Sequence, residues 1–252
     1  MAAHPHFASR ESQPVGPSLP DWKVPPWPPR ESLAGVYCQL EPLVPDRHGV
    51  PLFEAATPDV AGRHWTWLPY GPFLKRDDYL QWLRDFTQGN DPLFYAIRPT
   101  ATGRPSGVCA YLRITPTAGT IEVGHINFSP ELQQTVAATE ALFLMIQQAF
   151  ALGYRRVEWK CDTHNAPSRR SAQRLGFTFE GIFRQAQVVK GRNRDTAWFA
   201  IIDGEWPAIQ RAYREWLAPD NFDRDGRQQQ RLAHLIARHR DGSASIGLAP
   251  NG

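Results

Sequence analysis

The sequence predicts an α+β fold in three layers, with a central sheet of about seven strands flanked by helices. Three observations carry this prediction. Short runs that alternate apolar and polar residues, typical of half-buried strands, recur along the chain. Apolar residues at helical spacing, typical of amphipathic helices, separate several of these runs. The last two strands are joined by only a short turn, as in a hairpin.

Seven strands are predicted from alternation and from residues of high β-propensity. They cover residues 35–43, 93–98, 107–115, 120–128, 154–161, 183–190 and 196–203. The first strand alternates clearly, since Val36, Cys38 and Leu40 share one face. Turn residues separate the second strand from the third and the sixth from the seventh, which predicts two tight connections.

Helices are predicted where apolar residues recur three or four positions apart. They cover residues 45–56, 78–86, 137–152, 165–175 and 205–217, with a further short helix over 228–238. Pro167 lies in a first turn, where its missing N–H costs nothing, and Gly176 follows a last turn as the usual terminating residue. Pro51 is expected to interrupt the early part of the first helix.

The clearest functional signal is the connection between the strand that ends at Phe128 and the helix that begins near Ala137. A polar turn feeds the helix N-terminus, where unpaired N–H groups and the positive dipole end can hold an anion. Ala137 and Ala138 are small where a ligand would approach the backbone closely. No lysine stands where a nucleotide P-loop requires one, so the connection is not a Walker motif.

An aromatic segment with several breakers, residues 64–73, is expected to form a rigid loop. Two interpretations stay open. Its rings could wall a binding pocket, since aromatic side chains offer contact area at low entropy cost, or they could cap the core.

The two ends of the chain differ from its centre in composition. Residues 1–32 are rich in proline and are expected to be extended, residues 33–217 form the predicted domain, and residues 218–252 are a polar extension. The formal charge of +3 is too small to indicate nucleic acid. No apolar run reaches the length of a membrane span, and the start has no signal-peptide core.

The three cysteines lie far apart, which favours a reducing cytoplasm over a disulfide framework. Cys161 and His164 are of metal-ligand type, but two ligands do not make a metal site. A buried strand cysteine and a turn histidine are the expected roles, and no metal is predicted.

Several short blocks stand in order along the chain. They are Leu40-Glu41-Pro42-Leu43, Glu122-Val123-Gly124, Gln133-x-x-Val136-x-Ala138, Asn165-x-x-Ser168, Leu175-Gly176-Phe177 and Glu180-Gly181. Together they resemble the GCN5-related N-acetyltransferases (GNATs), in the branch of the ribosomal-protein N-acetyltransferases. The order of predicted strands and helices matches that family over roughly residues 33–217. The family usually has glycine at the position of Val136, and the backbone N–H donors survive that change.

This resemblance implies a mixed central sheet and the transfer of acetyl from acetyl-CoA to an amine by direct attack. In the family, N–H groups of the loop after the fourth long strand anchor the pyrophosphate of CoA. A backbone N–H at the end of that strand donates to the thioester oxygen, and the matching residue here is Phe128, two residues before Pro130. Asn165 would bind the pantetheine amide or cap its helix. The cofactor-binding residues so implied are Phe128, Gln133, Gln134, Thr135, Val136, Ala137, Ala138, Thr139, Asn165 and Ser168.

Ser168 matches the family's position for the proton donor to the departing CoA thiolate, although it could instead cap its helix. The base is less clear, because Gln187 stands where the branch has a glutamate and an amide cannot accept the proton. Glu122 and His125 are the first candidates for a replacement base, and Glu158 and Asp195 are further candidates. His125 has a suitable ordinary pKa, and Glu122 could equally be ion-paired.

Without a clear carboxylate base, the site suits an acceptor amine that is already partly neutral in solution. At pH 7 an α-amine is neutral roughly one time in seven and a lysine roughly one time in 2,500. An α-amine of a protein, peptide or small molecule is therefore the expected acceptor. The expected protein is a cytoplasmic monomer or homodimer that binds neither nucleic acid nor membrane. The alternative is a GNAT-fold protein that binds acyl-CoA, has reduced turnover and serves regulation.

Overall fold

A computed structural model of the chain describes residues 15–246, with side chains as far as Asp241. Its strands are β1 (Leu33–Ala34), β2 (Cys38–Pro42), β3 (Leu93–Pro99), β4 (Gly107–Thr115), β5 (Thr120–Phe128), β6 (Arg156–Asp162), β7 (Thr178–Val189) and β8 (Arg192–Ile202). Its helices are α1 (Pro45–Ala56), α2 (Arg76–Phe86), α3 (Val136–Ala151), α4 (Ala166–Arg174), α5 (Trp206–Leu217) and α6 (Leu232–Ile246). The α+β fold is confirmed, with one short strand more than the seven expected.

One mixed sheet contains all of these strands, in the order β1-β2-β3-β4-β5-β6-β8-β7. Every neighbouring pair is antiparallel except β5 and β6, which run parallel. These two strands pair only where Thr120–Glu122 faces Arg156–Glu158. Beyond that short ladder they diverge, and a cleft opens between them.

Helices cover both faces of the sheet, which gives the three predicted layers. In β3, Tyr95 and Ile97 pack into a core with α3, α5 and α6, whereas Phe94 and Ala96 face a second core beneath α1 and α2. This is the expected alternation of a strand that is buried on both sides.

The first long strand begins later than predicted because Glu140 of α3 holds the preceding turn. Its carboxylate accepts hydrogen bonds from the N–H groups of Val36, Tyr37 and Cys38 at 2.7–2.8 Å. The turn leaves Val36 70% exposed, so this residue does not share the buried face with Cys38 and Leu40.

Several other boundaries differ from expectation. Helix α1 runs through Pro51 without interruption, β7 begins at Thr178 instead of residue 183, and the last helix is α6 instead of residues 228–238. Helix α6 buries Leu232, Leu235 and Ile236 in the same core as α5. The polar extension therefore contributes apolar surface to the main core.

The described part of the proline-rich segment, residues 15–32, lies against the body of the protein. Pro25 and Pro28 are buried. The Tyr154 hydroxyl donates to the Pro26 carbonyl oxygen at 3.1 Å, and the Trp22 ring lies within cation–π distance of Arg155. Residues 1–14 are outside the described part.

Among the described residues no helix is long and apolar enough to cross a membrane. The cysteines Cys38, Cys109 and Cys161 are buried and unbridged.

Candidate active site

The divergence of β5 and β6 opens a cleft of about 1970 Å³ at the centre of the sheet. This volume exceeds the ordinary range for a drug-sized ligand, about 300–1,000 Å³, and so leaves room for a large ligand and a second molecule. All but one of the predicted site residues line this cleft, namely Glu122, His125, Phe128, Gln133, Gln134, Thr135, Val136, Ala138, Thr139, Asn165 and Ser168. The exception is Ala137, which lines a smaller adjoining pocket.

A bulge in β5 shapes the cleft at His125. The pairing of β4 with β5 shifts register between Val108–Asn127 and Ala110–Gly124, so that β5 carries one extra residue at this point. His125 has a φ of 48°, in the left-handed region that few non-glycine residues occupy. The bulge bends β5 away from its regular course just before the cleft.

The N–H of Phe128 points away from β4. The next residue, Ser129, donates its N–H to the carbonyl oxygen of Ser106 at 2.9 Å, on the β4 side. Successive N–H groups of an extended strand point to opposite edges, so the Phe128 N–H faces the side on which β6 has diverged. A donor is thus directed into the cleft at the position that the sequence predicts.

The loop before α3 is held by its own side chains. Thr135 caps the helix, since its Oγ1 accepts from the Ala138 N–H at 3.1 Å and donates to the Leu132 carbonyl oxygen at 2.7 Å. The left-handed residue of the loop is Gln134, with a φ of 63°, and Val136 begins the helix. Valine is therefore compatible with this loop, because the left-handed position falls two residues earlier.

Only part of the predicted N–H set is free to bind a ligand. The Ala138 N–H is taken by Thr135 Oγ1 and the Thr139 N–H by the Thr135 carbonyl oxygen. In the described part of the chain, the N–H groups of Gln134, Val136 and Ala137 have no acceptor. These groups belong to a helix N-terminus, so they form a site suited to an anion.

Four arginines line the cleft on the side of α3, α4 and the C-terminal extension: Arg170, Arg174, Arg227 and Arg231. The Arg174 Nη2 donates to Thr139 Oγ1 at 3.0 Å, which ties α4 to the N-terminus of α3. Sequence analysis missed the role of the extension here. Neither Arg227 nor Arg231 lies near a recognisable motif, and only the packing of α6 brings them to the cleft.

Ser168 lies in the first turn of α4, opposite the N-terminus of α3. The Asn165 side chain caps the helix by accepting from the Ser168 N–H at 3.1 Å. The Trp159 Nε1 donates to Ser168 Oγ at 3.0 Å. Burial raises the pKa of the Cys161 thiol, and a hydrogen bond with Ser168 opposes the shift. The cap belongs to Asn165, so the Ser168 hydroxyl is engaged by Trp159 and Cys161 and not by the helix end.

Glu122 is a buried carboxylate with two cationic partners. Arg113 contacts it with Nε at 2.6 Å and Nη2 at 2.7 Å, and Lys160 Nζ lies at 3.1 Å. Its neighbour Glu158 is paired with Lys160 at 2.7 Å and with Arg156 at 2.8 Å. Although burial opposes it, hydrogen bonds from Lys160 and Arg156 lower the pKa of Glu158. Both carboxylates therefore serve an ion-pair network.

His125 lies in the wall of the cleft and is surrounded by aromatic rings. Its Nδ1 lies 3.0 Å from the Tyr70 hydroxyl, and the two rings are stacked at 5.7 Å. Burial, with Arg113 and Arg194 nearby, lowers the pKa of His125 to about 4. The imidazole is therefore neutral at pH 7 and is a weaker base than an ordinary histidine.

Sequence analysis also missed a second imidazole in the cleft. The His64 ring contacts the Asp59 carboxylate, and the Asp59 carboxylate also accepts from the His64 N–H at 2.9 Å. Burial lowers the pKa of His64, while Asp59 opposes the shift. The two residues are only five apart, but no motif marks the pair.

The aromatic loop serves both of the roles that the sequence leaves open. Trp65 is buried in the second core, whereas Trp67 and Leu68 line the cleft. Lys190, at the tip of the β7–β8 hairpin, donates to the Trp65 carbonyl oxygen at 2.9 Å. The hairpin and the loop thereby join across one end of the cleft, where Gln187 is also a lining residue.

Residues 39–178 match the family model of the acetyltransferase (GNAT) domain. The crystal structure of a GCN5-related N-acetyltransferase from Brucella melitensis is similar to this chain, with 47% sequence identity and a TM-score of 0.85 over 87% of this chain and 100% of that chain. The uncharacterized N-acetyltransferase p20 of Bacillus licheniformis is 24% identical over 177 residues, which are 66% of this chain and 99% of that protein.

One more distant structure shares the fold and contains a ligand. It is the microcin C7 self-immunity acetyltransferase MccE in complex with acetyl-CoA and AMP, with 19% identity and a TM-score of 0.59 over 67% of this chain and 93% of that chain. The family-model match spans more than half of the chain, and the Brucella structure is similar over its full length. This chain therefore belongs to the GCN5-related N-acetyltransferases, a family of acetyl-CoA-dependent enzymes.

Proposed function

We propose that the protein transfers the acetyl group of acetyl-CoA to a primary amine by direct attack, with both molecules bound in the cleft between β5 and β6. One observation carries this proposal. The anion-binding N-terminus of α3, the inward N–H of Phe128 and the hydroxyl of Ser168 all face one cleft. That set can hold a phosphate, stabilise a negative oxygen and protonate a leaving group.

The residues that would hold acetyl-CoA fit its chemistry. The free N–H groups of Gln134, Val136 and Ala137 suit the pyrophosphate, because a helix N-terminus attracts anions. The four cleft arginines add positive charge on the same side, where the nucleotide phosphates would lie. When bound, acetyl-CoA supplies an acetyl group that its thioester activates for transfer.

Two groups of the chain would act on the reacting atoms. The Phe128 N–H would donate to the thioester oxygen as negative charge develops there, and one such donor contributes on the order of 10²–10³ in rate. The Ser168 hydroxyl would donate its proton to the departing sulfur, and the proton that the attacking nitrogen loses as the amide forms would restore it, so that the products are the amide and the CoA thiol. Its Oγ accepts from Trp159, and the hydrogen bond that it makes with the Cys161 thiol would be exchanged for one to the departing sulfur.

The acceptor is best described as an amine of low pKa, such as an α-amine. Glu122 and Glu158 are engaged by cations, and Gln187 offers no base. Burial lowers the pKa of both His64 and His125, so neither imidazole competes well for the proton of a strongly basic amine. An amine that is partly neutral in solution needs no strong base from the protein.

Binding of acetyl-CoA is tested with a charge placed at the phosphate site. Ala138→Glu adds bulk and negative charge beside the free N–H groups and should abolish acetyl-CoA binding. The loss is measured by titration calorimetry and by the disappearance of the rise in melting temperature that binding produces. The matched control is Ala151→Glu, at the exposed far end of the same helix, which should bind as the wild type does. Absence of binding by the wild type at millimolar acetyl-CoA would refute the proposal.

Turnover is tested by screening primary amines with acetyl-CoA and measuring the release of free thiol. Release that depends on the amine, with the acetylated amine found by mass spectrometry, supports the transferase. Tight binding of acetyl-CoA with no release for any amine class would favour the alternative, a GNAT-fold protein that binds acyl-CoA for regulation.

A further inference from the structure

Arg194 of β8 projects into the cleft without an anionic partner. Its Nε is buried from solvent and has no hydrogen-bond acceptor among the described residues. No carboxylate in that part of the chain lies within ion-pair distance of its guanidinium. The side chain is nevertheless a lining residue of the cleft.

The other cations around it are paired. Arg113 and Lys160 share the Glu122 carboxylate, and Lys160 also contacts Glu158 and the face of Trp198, at 3.6 Å from the ring centroid. Asp162 influences Arg194 electrostatically, but its Oδ1 accepts from the N–H of His164 at 2.8 Å. Compared with Arg113 and Lys160, Arg194 is thus the cation whose N–H donors remain able to bind a ligand.

An unpaired guanidinium in a partly closed cleft is energetically unfavourable. Burial lowers the pKa of Arg194, which reflects the cost of removing its charge from water. The planar guanidinium presents several N–H donors in a fixed fork, and this geometry matches a carboxylate or a phosphate. A ligand with such a group would supply the missing partner.

The position of Arg194 assigns it to the acceptor half of the cleft. It faces Gln187 across the β7–β8 pairing, and it acts electrostatically on His125 on the opposite wall. The four arginines that would meet the nucleotide phosphates lie on other elements, two in α4 and two in the C-terminal extension.

We propose that Arg194 binds an anionic group of the acceptor, so that the substrate is an amine that also carries a carboxylate or a phosphate. This inference rests on the proposed transferase function and narrows its substrate class. The ion pair would hold the acceptor in the cleft and direct its amine toward the acetyl group. An uncharged amine would leave the guanidinium without a partner and would bind more weakly.

Matched pairs of acceptors test the inference directly. Amino acids and short peptides are compared with their C-terminal amides, and phosphoethanolamine is compared with ethanolamine. We expect kcat/KM, expressed per neutral amine so that differences in amine pKa are removed, to be at least tenfold higher for the anionic member of the effective pair. The pair that shows the preference distinguishes a carboxylate from a phosphate. Equal rates, or a preference for the uncharged members, would overturn the inference while leaving the transferase function intact.

Substitutions of Arg194 test whether this residue causes the preference for anionic acceptors. Arg194→Gln should raise KM for the anionic acceptor about 10- to 100-fold, change the uncharged acceptor less than about threefold, and leave KM for acetyl-CoA unchanged. Arg194→Lys keeps the charge but loses the fork, and we expect it to retain a reduced preference. Arg192→Gln, at an exposed position on the same strand, is the control and should behave as the wild type does. Equal losses on both acceptors in Arg194→Gln would contradict the assignment.

Binding of products gives a readout that does not need turnover. In the presence of CoA, titration calorimetry compares N-acetylated amino acids and N-acetylphosphoethanolamine with their uncharged counterparts. The wild type should bind an anionic product, and Arg194→Gln should bind it at least tenfold more weakly. If no anionic product binds better than its uncharged counterpart, the inference is wrong even where the amine screen detects acetyl transfer.

Discussion

The indole Nε1 of Trp159 donates a hydrogen bond to Ser168 Oγ over 3.0 Å, from a buried strand to the first turn of α4. An indole nitrogen can only donate, so it fills an acceptor position of the hydroxyl and leaves the hydroxyl proton for another group. Asn165 caps the helix, so the hydroxyl is not needed for that purpose. In the folded protein that other group is the Cys161 thiol, which lines the cleft together with Ser168.

Removing this hydroxyl should slow the reaction more than it weakens binding. Ser168→Ala is expected to lower kcat about 10- to 1,000-fold and to leave the acetyl-CoA dissociation constant within about threefold, because the hydroxyl acts mainly on the departing sulfur. Steady-state kinetics and calorimetry measure the two quantities. Ser171→Ala, one turn further along α4 in the same cleft, should lose less than about threefold. Full activity in Ser168→Ala would assign the proton to another group.

The nucleotide end should depend on Arg174. Replacing it in Arg174→Gln removes a cation from the cleft and is expected to weaken acetyl-CoA binding about tenfold, since hydrogen bonds to charged groups contribute about 1.5–3 kcal/mol. Titration calorimetry measures the change. Arg224→Gln, at an exposed position in the C-terminal extension, is the control. If both variants bound acetyl-CoA with the same affinity, Arg174 would not contact the phosphates.

Most of the fold could be predicted from local patterns. The apolar stripe of α3, the cap at Asn165 and the alternation of β3 and β4 depend on neighbouring residues, and sequence analysis places them within a few positions. The start of β2 could not be found in this way, because it depends on Glu140, which lies about a hundred residues further along the chain. Long-range polar contacts of this kind leave no periodic signal.

The candidate site could be predicted only in part, for the same reason. The loop before α3 and the pair Asn165 and Ser168 are contiguous motifs. The Asp59–His64 pair and the unpartnered Arg194 come to the cleft through the packing of separate elements. From the sequence alone, solvent is the expected partner of Arg194, ahead of a nucleotide phosphate or an acidic acceptor.

The proline-rich segment should stabilise the protein through Trp22, and Trp27 should contribute little. Trp22 lies within cation–π distance of Arg155 and packs against Gly119, whereas Trp27 is 51% exposed. We expect Trp22→Ala to lower the free energy of unfolding by about 1–2 kcal/mol from lost burial and cation–π contact. Trp27→Ala should change it by less than about 0.5 kcal/mol. Chemical denaturation compares the two, and equal effects would show that Trp22 is not the anchor.

His125 should make stability fall in acid. Burial lowers its pKa from 6.5 to about 4, so the unfolded chain binds a proton there that the folded protein does not. This residue's contribution is constant above about pH 6.5, and stability is lost as the pH falls from there toward 4, by roughly 3 kcal/mol in total. The free energy of unfolding of the wild type should therefore drop more steeply across this window than that of His125→Gln. Parallel curves would show that His125 titrates normally.

We expect the cleft to acetylate an amine that arrives neutral, without a strong base from the protein. The pH dependence of kcat/KM, measured for two acceptors whose pKa values differ by more than about one unit, tests this expectation. The rising limb of each profile should follow the pKa of its acceptor and shift between the two. A limb at the same pH for both acceptors, near 6–7 and abolished in His125→Gln or His64→Gln, would contradict it.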